Sequence, residues 1–306
     1  MRRVAVAQPK PAELPLPGGR DGATVRVHAL QCAEATWPDA WPHREEGPLA
    51  RLRAAGIGVP RAKHVTLPIV AFLVEHPAAG PIVIDTGLSP TFAEDPRRDI
   101  GRLMTAAGLA KTITTDPSQT VPEQLRARGV DPADVRLVAM THLHFDHASG
   151  ISQFPDATFA VSEREWEAAT GRAGVLHGYV GGHFDHPFDF RTLDFDGPAA
   201  APYSTFGHAI DLLGDGSLRA VYTPGHTHGH MSFVLRTAER EVLVVGDAAY
   251  TRRTIATGHL PQLMEDGRLF RRSLREIQLY AEANPDAVVI PGHDMEAWRE
   301  LDAVYG

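Results

Sequence analysis

Seven consecutive residues, Thr141-His142-Leu143-His144-Phe145-Asp146-His147, set three imidazoles and a carboxylate directly behind an apolar run, Val135-Arg136-Leu137-Val138-Ala139-Met140. The run reads as a buried strand. At a strand's end, side chains two residues apart point the same way. His142 and His144 can therefore hold one ion, while the turning chain aims Asp146 and His147 at a second. Imidazole nitrogen and carboxylate oxygen suit zinc and its neighbours. A chain with this element has to fold so that a strand end opens onto a metal site.

Four further clusters each follow a run that reads as a strand. Asp85-Thr86-Gly87 comes after Ile82-Val83-Ile84, and Thr223-Pro224-Gly225-His226 after Ala220-Val221-Tyr222. Gly246-Asp247-Ala248-Ala249-Tyr250 comes after Val242-Leu243-Val244-Val245, and Pro291-Gly292-His293-Asp294 after Val288-Val289-Ile290. An isolated His is more often packed or solvated than functional. Five clusters at five strand ends are not explained that way.

Composition narrows the chemistry. Cys32 is the only cysteine, which leaves metal ligation to His, Asp and Glu and rules out an intrachain disulfide. The net charge of −8 gives no basic footprint for nucleic acid or an anionic membrane. After Met1-Arg2-Arg3 only Val4, Ala5, Val6 and Ala7 are apolar in sequence. A secretory core needs about seven such residues and a membrane span about twenty. Cytoplasmic location is the expectation.

Along the chain, residues 1–22 are rich in Pro and Gly and read as an N-terminal arm. Strands are expected over Thr24–Leu30, Leu67–Glu75 and Pro81–Asp85, the last two as a hairpin around Pro77-Ala78-Ala79-Gly80. Helices are expected over Arg97–Leu109, Pro122–Arg128 and Ser162–Ala169, the last begun by a capping box of Ser162 and Glu165. Strands at Leu218–Tyr222, Met231–Leu235 and Glu241–Val245 precede a helix over Ser273–Ala283 and a strand over Ala287–Ile290. Residues 23–306 read as one domain. Within it, residues 170–216 read as a substrate-covering insertion. Its aromatics, Tyr179, Phe184, Phe188, Phe190 and Phe195, are either an acyl pocket or the cover's own core.

The order Asp85-Thr86-Gly87, His142-x-His144-x-Asp146-His147, His226, Asp247, His293 resembles the metallo-β-lactamase superfamily over residues 67 to 294. The resemblance implies an α/β fold, an αββα sandwich of two facing mixed sheets flanked by helices, with the metals at one edge. It implies a dinuclear centre. His142, His144 and His226 would hold one ion, Asp146, His147 and His293 the other, and Asp247 would bridge. Asp85 would orient a ligand imidazole, as metal-bound His generally requires. Zinc is the expected metal, with iron, manganese and cobalt as alternatives. A hydroxide shared by two such ions is a sufficient nucleophile. No Gly-x-Ser-x-Gly elbow is present, and Cys32 lies outside every His cluster, so covalent catalysis has no candidate.

Within that superfamily, Thr141–Ala148 together with Asp247-Ala248-Ala249-Tyr250 is most similar to the N-acyl-homoserine lactone lactonases. There a Tyr three residues after the bridging Asp points into the site, and Tyr250 occupies that place. The expected activity is opening of a lactone ring, which in such a signal molecule is quorum quenching. Tyr250 would donate to the carbonyl oxygen and Asp146 would pass a proton to the leaving alkoxide. His144, where the flavo-diiron oxidoreductases carry Glu, argues against O₂ or NO reduction. Residues 294–306 are too few for the helical domain of the glutathione-thioester hydrolases. Another lactone, an organophosphate or a thioester remains open as substrate, as do an iron persulfide dioxygenase and a non-catalytic metal-containing ligand-binding protein. The expected partner is a small-molecule lactone, and the oligomeric state is left open, a homodimer included. His228 stands where the family often has Pro. His228 and His230 are expected to orient loops and not to bind metal.

Overall fold

The computed structural model describes residues 8–106 and 108–306. The first seven residues of the expected arm, and residue 107 within the expected helix over 97–109, lie outside them. The first sheet contains β1 (Lys10–Pro11), β2 (Arg26–Pro38), β3 (His64–His76), β4 (Gly80–Ile84), β5 (Ile113–Thr114), β6 (Leu137–Ala139), β7 (Thr158–Ser162) and β8 (Asp189–Leu193). Its order is β1-β8-β7-β6-β4-β3-β2-β5. The second contains β9 (Ala201–Tyr203), β10 (Phe206–Asp211), β11 (Leu218–Tyr222), β12 (Met231–Arg236), β13 (Glu241–Gly246) and β14 (Val288–Pro291), in the order β14-β13-β12-β11-β10-β9. Both are mixed. β4, β6, β7 and β8 run parallel beside the antiparallel β2–β3–β4 meander, and β14 joins an antiparallel sheet in parallel.

Nine α-helices occur among the described residues: α1 (Ala50–Ala54), α2 (Pro90–Glu94), α3 (Pro96–Ala106), α4 (Val121–Ala127), α5 (Phe145–Ala148), α6 (Glu163–Thr170), α7 (Arg252–Thr257), α8 (Gly267–Ala283) and α9 (Met295–Arg299). None is long and apolar enough to cross a membrane. The layers follow from strand alternation. Ile82 and Ile84 face the second sheet and pack with Phe233, Val242 and Val244. Val83 faces outward, with Val138 and Phe159, onto Phe92, Ile100, Leu125 and Trp166 from the helices. On the far side, Leu243 and Val245 pack against Phe270, Leu274 and Ile277 of α8. Strands covered on both faces are apolar throughout, which is why their sequences show runs and no alternation. The result is the expected αββα sandwich.

Helix α8 shows how its sequence sets its place. Phe270, Ser273, Leu274, Ile277 and Tyr280 form its buried stripe, and the Asp266 carboxylate accepts from the Arg268 and Leu269 N–H groups at its start. The β3–β4 hairpin also forms as expected, with Phe72 opposite Ile84 and His76 opposite Gly80.

Several expectations need correction. β2 runs to Pro38, well beyond the expected Leu30, because it pairs with β3 from Arg26 opposite Glu75 to Pro38 opposite His64. The segment 170–216 is not an irregular cover throughout. It supplies β8 to the first sheet and β9 and β10 to the second, and only the stretch before β8 lies over the ligand loops. Its aromatics are core and not pocket lining. Phe184 and Phe190 pack on Trp166 with ring centroids 5.9 Å and 4.7 Å away, and Phe195 lies between the sheets. The capping box is absent: Ser162 makes no side-chain cap bond to α6. The described part of the arm is anchored through β1 on β8 and the Leu16 N–H to the Leu212 carbonyl, 2.7 Å.

Candidate metal centre

The sequence-selected site residues lie on one edge of the sandwich, in the segments that follow strands, with Asp146 and His147 in α5. Asp85 follows β4, the 141–147 run follows β6, His226 follows β11, Asp247 follows β13 and His293 follows β14. The turns are tight. Gly246, immediately before Asp247, has φ +57°, and a Cβ there would lie 2.9 Å from His230 Nε2. Glycine takes that backbone without strain, and any larger residue would press on the His230 ring.

His142, His144, His147, His226, Asp247 and His293 are buried, and so is Asp146. Their ligand atoms fall into three overlapping groups able to hold a cation: His142, His144 and His226; His142, His147 and Asp247; Asp146, His147 and His293. Asp247 joins them. Its Oδ1 lies 3.0 Å from His293 Nε2 and 3.4 Å from His147 Nε2. Its Oδ2 lies 3.2 Å from His226 Nε2 and 3.9 Å from His142 Nε2. One carboxylate thus presents one oxygen to each set of imidazoles. Asp146 Oδ2 is 3.9 Å from both His147 Nε2 and His293 Nε2.

The rings are turned to offer lone pairs inward. His147 Nδ1 lies 2.8 Å from Asp85 Oδ2, and His293 Nδ1 donates to the Pro68 carbonyl at 2.8 Å. In each ring the Nε2 faces the centre. Asp85 is itself fixed, accepting from the Thr141 N–H and hydroxyl, both at 2.7 Å. His142 Nε2 and His147 Nε2 are buried without hydrogen-bond partners. Such orphaned groups cost about 1–3 kcal/mol each, and a cation is the partner that suits them. Burial depresses His142, with His147 and His144 adding to it, well below the usual histidine range. Burial also works against a charged His147, but Asp85, Asp146 and Asp247 outweigh it and hold that ring well above the usual range. The centre is built to receive positive charge, and the donor set fits divalent transition metals.

His230 does what the loop-orienting expectation describes. Fully buried, it accepts the Asp247 N–H on Nε2 at 3.0 Å and meets the Thr223 hydroxyl through Nδ1 at 2.9 Å. Burial pushes its pKa down to about 3. His228 is outside the centre, its N–H donating to Glu265 at 3.0 Å.

Tyr250 is buried beside the centre. Its ring packs on those of His226 and His293, at 5.7 Å and 5.2 Å between centroids. Burial, reinforced by the Asp247 and Asp146 carboxylates, holds the phenol well above its usual pKa, so it stays a donor. Over the ligands lies a cavity of about 290 Å³. Its walls are Trp37, Trp41, Met104, Phe145, Val175, Leu176 and Leu263, and Asp146, Asp247, Tyr250 and His293 contribute to its lining. The two tryptophans escaped the sequence reading. The signal available was the repeated Trp-Pro at 37–38 and 41–42 in a chain with four Trp residues.

A four-layer sandwich with an edge centre of five His and two Asp defines a class of metal-binding proteins, and the family model for the metallo-beta-lactamase superfamily matches residues 64–293. The chain belongs to that superfamily. It is 36% identical over 239 residues to the N-acyl homoserine lactonase AttM of Agrobacterium fabrum, covering 77% of this chain and 85% of the relative. The N-acyl homoserine lactonase AiiA of Bacillus thuringiensis subsp. kurstaki is 26% identical over 76% of this chain and 84% of its own length. A solved structure of an N-acyl homoserine lactone hydrolase, with N-hexanoyl-L-homoserine at its catalytic metal centre, superposes with a TM-score of 0.71 at 21% identity. It covers 91% of this chain and 97% of that one.

Proposed function

We propose that this protein is a lactonase that opens the ring of N-acyl homoserine lactones with two bound divalent cations, zinc foremost. The observation that carries the reading is the divided carboxylate of Asp247, with Oδ1 toward His147 and His293 and Oδ2 toward His142 and His226. The relatives named as lactonases over most of their length support the substrate class. A similar fold in a dizinc lactonase, with a TM-score of 0.58, is in keeping with zinc.

His142, His144 and His226 would hold one cation and Asp146, His147 and His293 the other, with Asp247 presented to both. Bound there, the pair would supply Lewis acidity and make water a competent nucleophile near neutral pH. Tyr250 donates a hydrogen bond to the substrate carbonyl oxygen and steadies the negative charge that develops there. As a water oxygen bonds to the carbonyl carbon, Asp146 takes up the proton that water loses and returns it to the ring oxygen as the C–O bond breaks. Asp85 and the Pro68 carbonyl fix the tautomers of His147 and His293. The apolar walls take the acyl tail and exclude water. At about 290 Å³ the cavity sits near the lower end of small-molecule pockets, about 300–1,000 Å³.

The test is acid release from N-hexanoyl homoserine lactone in a pH-stat. The purified protein should release one proton equivalent per lactone, lose the activity to a chelator and regain it with added zinc. No release from any N-acyl homoserine lactone, by protein loaded with two metals, would overturn the assignment.

A further inference from the structure

Glu165 is the carboxylate whose place local sequence explains worst. Three residues after Ser162, it stands where a capping-box Glu would reach back to its helix start. It turns inward instead. It is fully buried, and among the described residues no Lys or Arg is paired with it. Burial pushes its pKa up to about 7, opposed by hydrogen bonds from Thr227 and Leu143. Carboxylates are seldom kept in such a place unless their bonds serve a purpose.

Those bonds have a pattern. Oε1 accepts the Leu143 N–H at 2.8 Å, and Oε2 accepts the Thr227 hydroxyl at 2.6 Å. Leu143 lies between His142 and His144, and Thr227 follows His226. One carboxylate is therefore fastened to both loops that bring these three imidazoles together. A second observation marks the same docking. At Gly229, three residues past His226, a Cβ would lie 2.0 Å from the Glu165 backbone nitrogen. The His226 loop thus meets the first turn of α6 backbone to backbone. The loop carrying His293 makes no bond to Glu165 among the described residues, its imidazole being held by the Pro68 carbonyl.

We propose that Glu165 is a positioning residue for the three-histidine half of the centre, setting the separation of the His142–His144 and His226 loops and hence the affinity of that half for its cation. The inference rests on the two-cation reading above. It assigns the role to geometry: two loops joined through one planar group with two polar ends. A glutamine can keep both ties, accepting from Leu143 with its oxygen and donating to Thr227 with its amide, whereas a leucine keeps neither.

The experiment uses the full chain loaded with Co²⁺, read by visible absorption while a chelator is titrated. The wild type should release two ions. Glu165→Leu should release one ion at a chelator concentration about 10- to 100-fold lower, the usual cost of losing an outer-shell partner, with the second ion's release unchanged. Glu165→Gln should restore most of the loss. Thr227→Val, which removes one tie and keeps the side-chain shape, should show the smaller shift of one ion alone, and it decides the matter if Glu165→Leu does not fold. Both ions shifting together, neither shifting, or Gln behaving as Leu would overturn the proposal. A wild type that binds fewer than two cobalt ions would instead overturn the two-cation reading.

Discussion

Nδ1 of His147 lies 2.8 Å from Oδ2 of Asp85, both groups buried, and the contact turns the imidazole so that its Nε2 faces Asp247. Asp85 sits at φ +57°, a conformation few residues other than Gly, Asn and Asp adopt. Asp85→Asn keeps the shape and the backbone but sets an amide group against the ring N–H. Metal affinity should fall about 10- to 100-fold, measured by chelator competition. Affinity equal to the wild type would remove Asp85 from the centre.

Asp247→Ala removes the one group that faces both sets of imidazoles. Metal content by elemental analysis should drop below two per chain, with turnover falling in step. Two tightly held metals in this variant would deny the bridging role.

Tyr250→Phe should leave metal content intact and lower kcat by about 100- to 1,000-fold, the usual cost of one oxyanion donor. In the metal-free protein burial and the Asp247 carboxylate hold the phenol well above its usual pKa, so ultraviolet titrations of the metal-free wild type and Tyr250→Phe should differ by no tyrosinate signal between about pH 7 and 10. An equal kcat in the Phe variant would take Tyr250 out of the reaction.

Trp41→Ala opens the apolar wall shared by Trp37 and Leu263. Each methylene buried against such a wall contributes about 0.8 kcal/mol. KM for a decanoyl substrate should rise several-fold more than KM for a butanoyl one, with kcat little changed. Equal effects on both chain lengths would place the tail elsewhere.

Phe233 is fully buried between the sheets. Phe233→Ala should cost about 3–5 kcal/mol, read as a lower denaturation midpoint of the metal-free protein. A loss under about 1 kcal/mol would mean that the inter-sheet core does not hold the sandwich together.

What the sequence revealed was what local order encodes. A strand run, then a turn, then a polar side chain is a short-range pattern, and the seven residues that the structure gathers into the candidate metal centre were legible from it together with the family resemblance. So were β3, β4 and β11, and the part of α8 from Ser273 onward, the helix itself beginning at Gly267. Long-range pairing was not. The Gln31-Cys32-Ala33-Glu34-Ala35 part of β2 has weak strand propensity and is extended because β3 lies along it. That extension carries Trp37 to the cavity, so the wall was hidden as well. In 170–216, Gly, Pro and Asp masked three short strands whose partners lie elsewhere in the chain. Glu165 was misplaced because Ser162 and Glu165 satisfy a local rule, while the buried Leu143 N–H and Thr227 hydroxyl offer stronger partners.

The most direct measurement is anomalous diffraction from crystals of the zinc-loaded protein. Two peaks about 3.5–4 Å apart, one beside each carboxylate oxygen of Asp247, are the predicted result. A single peak, or none between His226 and His293, would contradict the two-cation centre on which the reading stands.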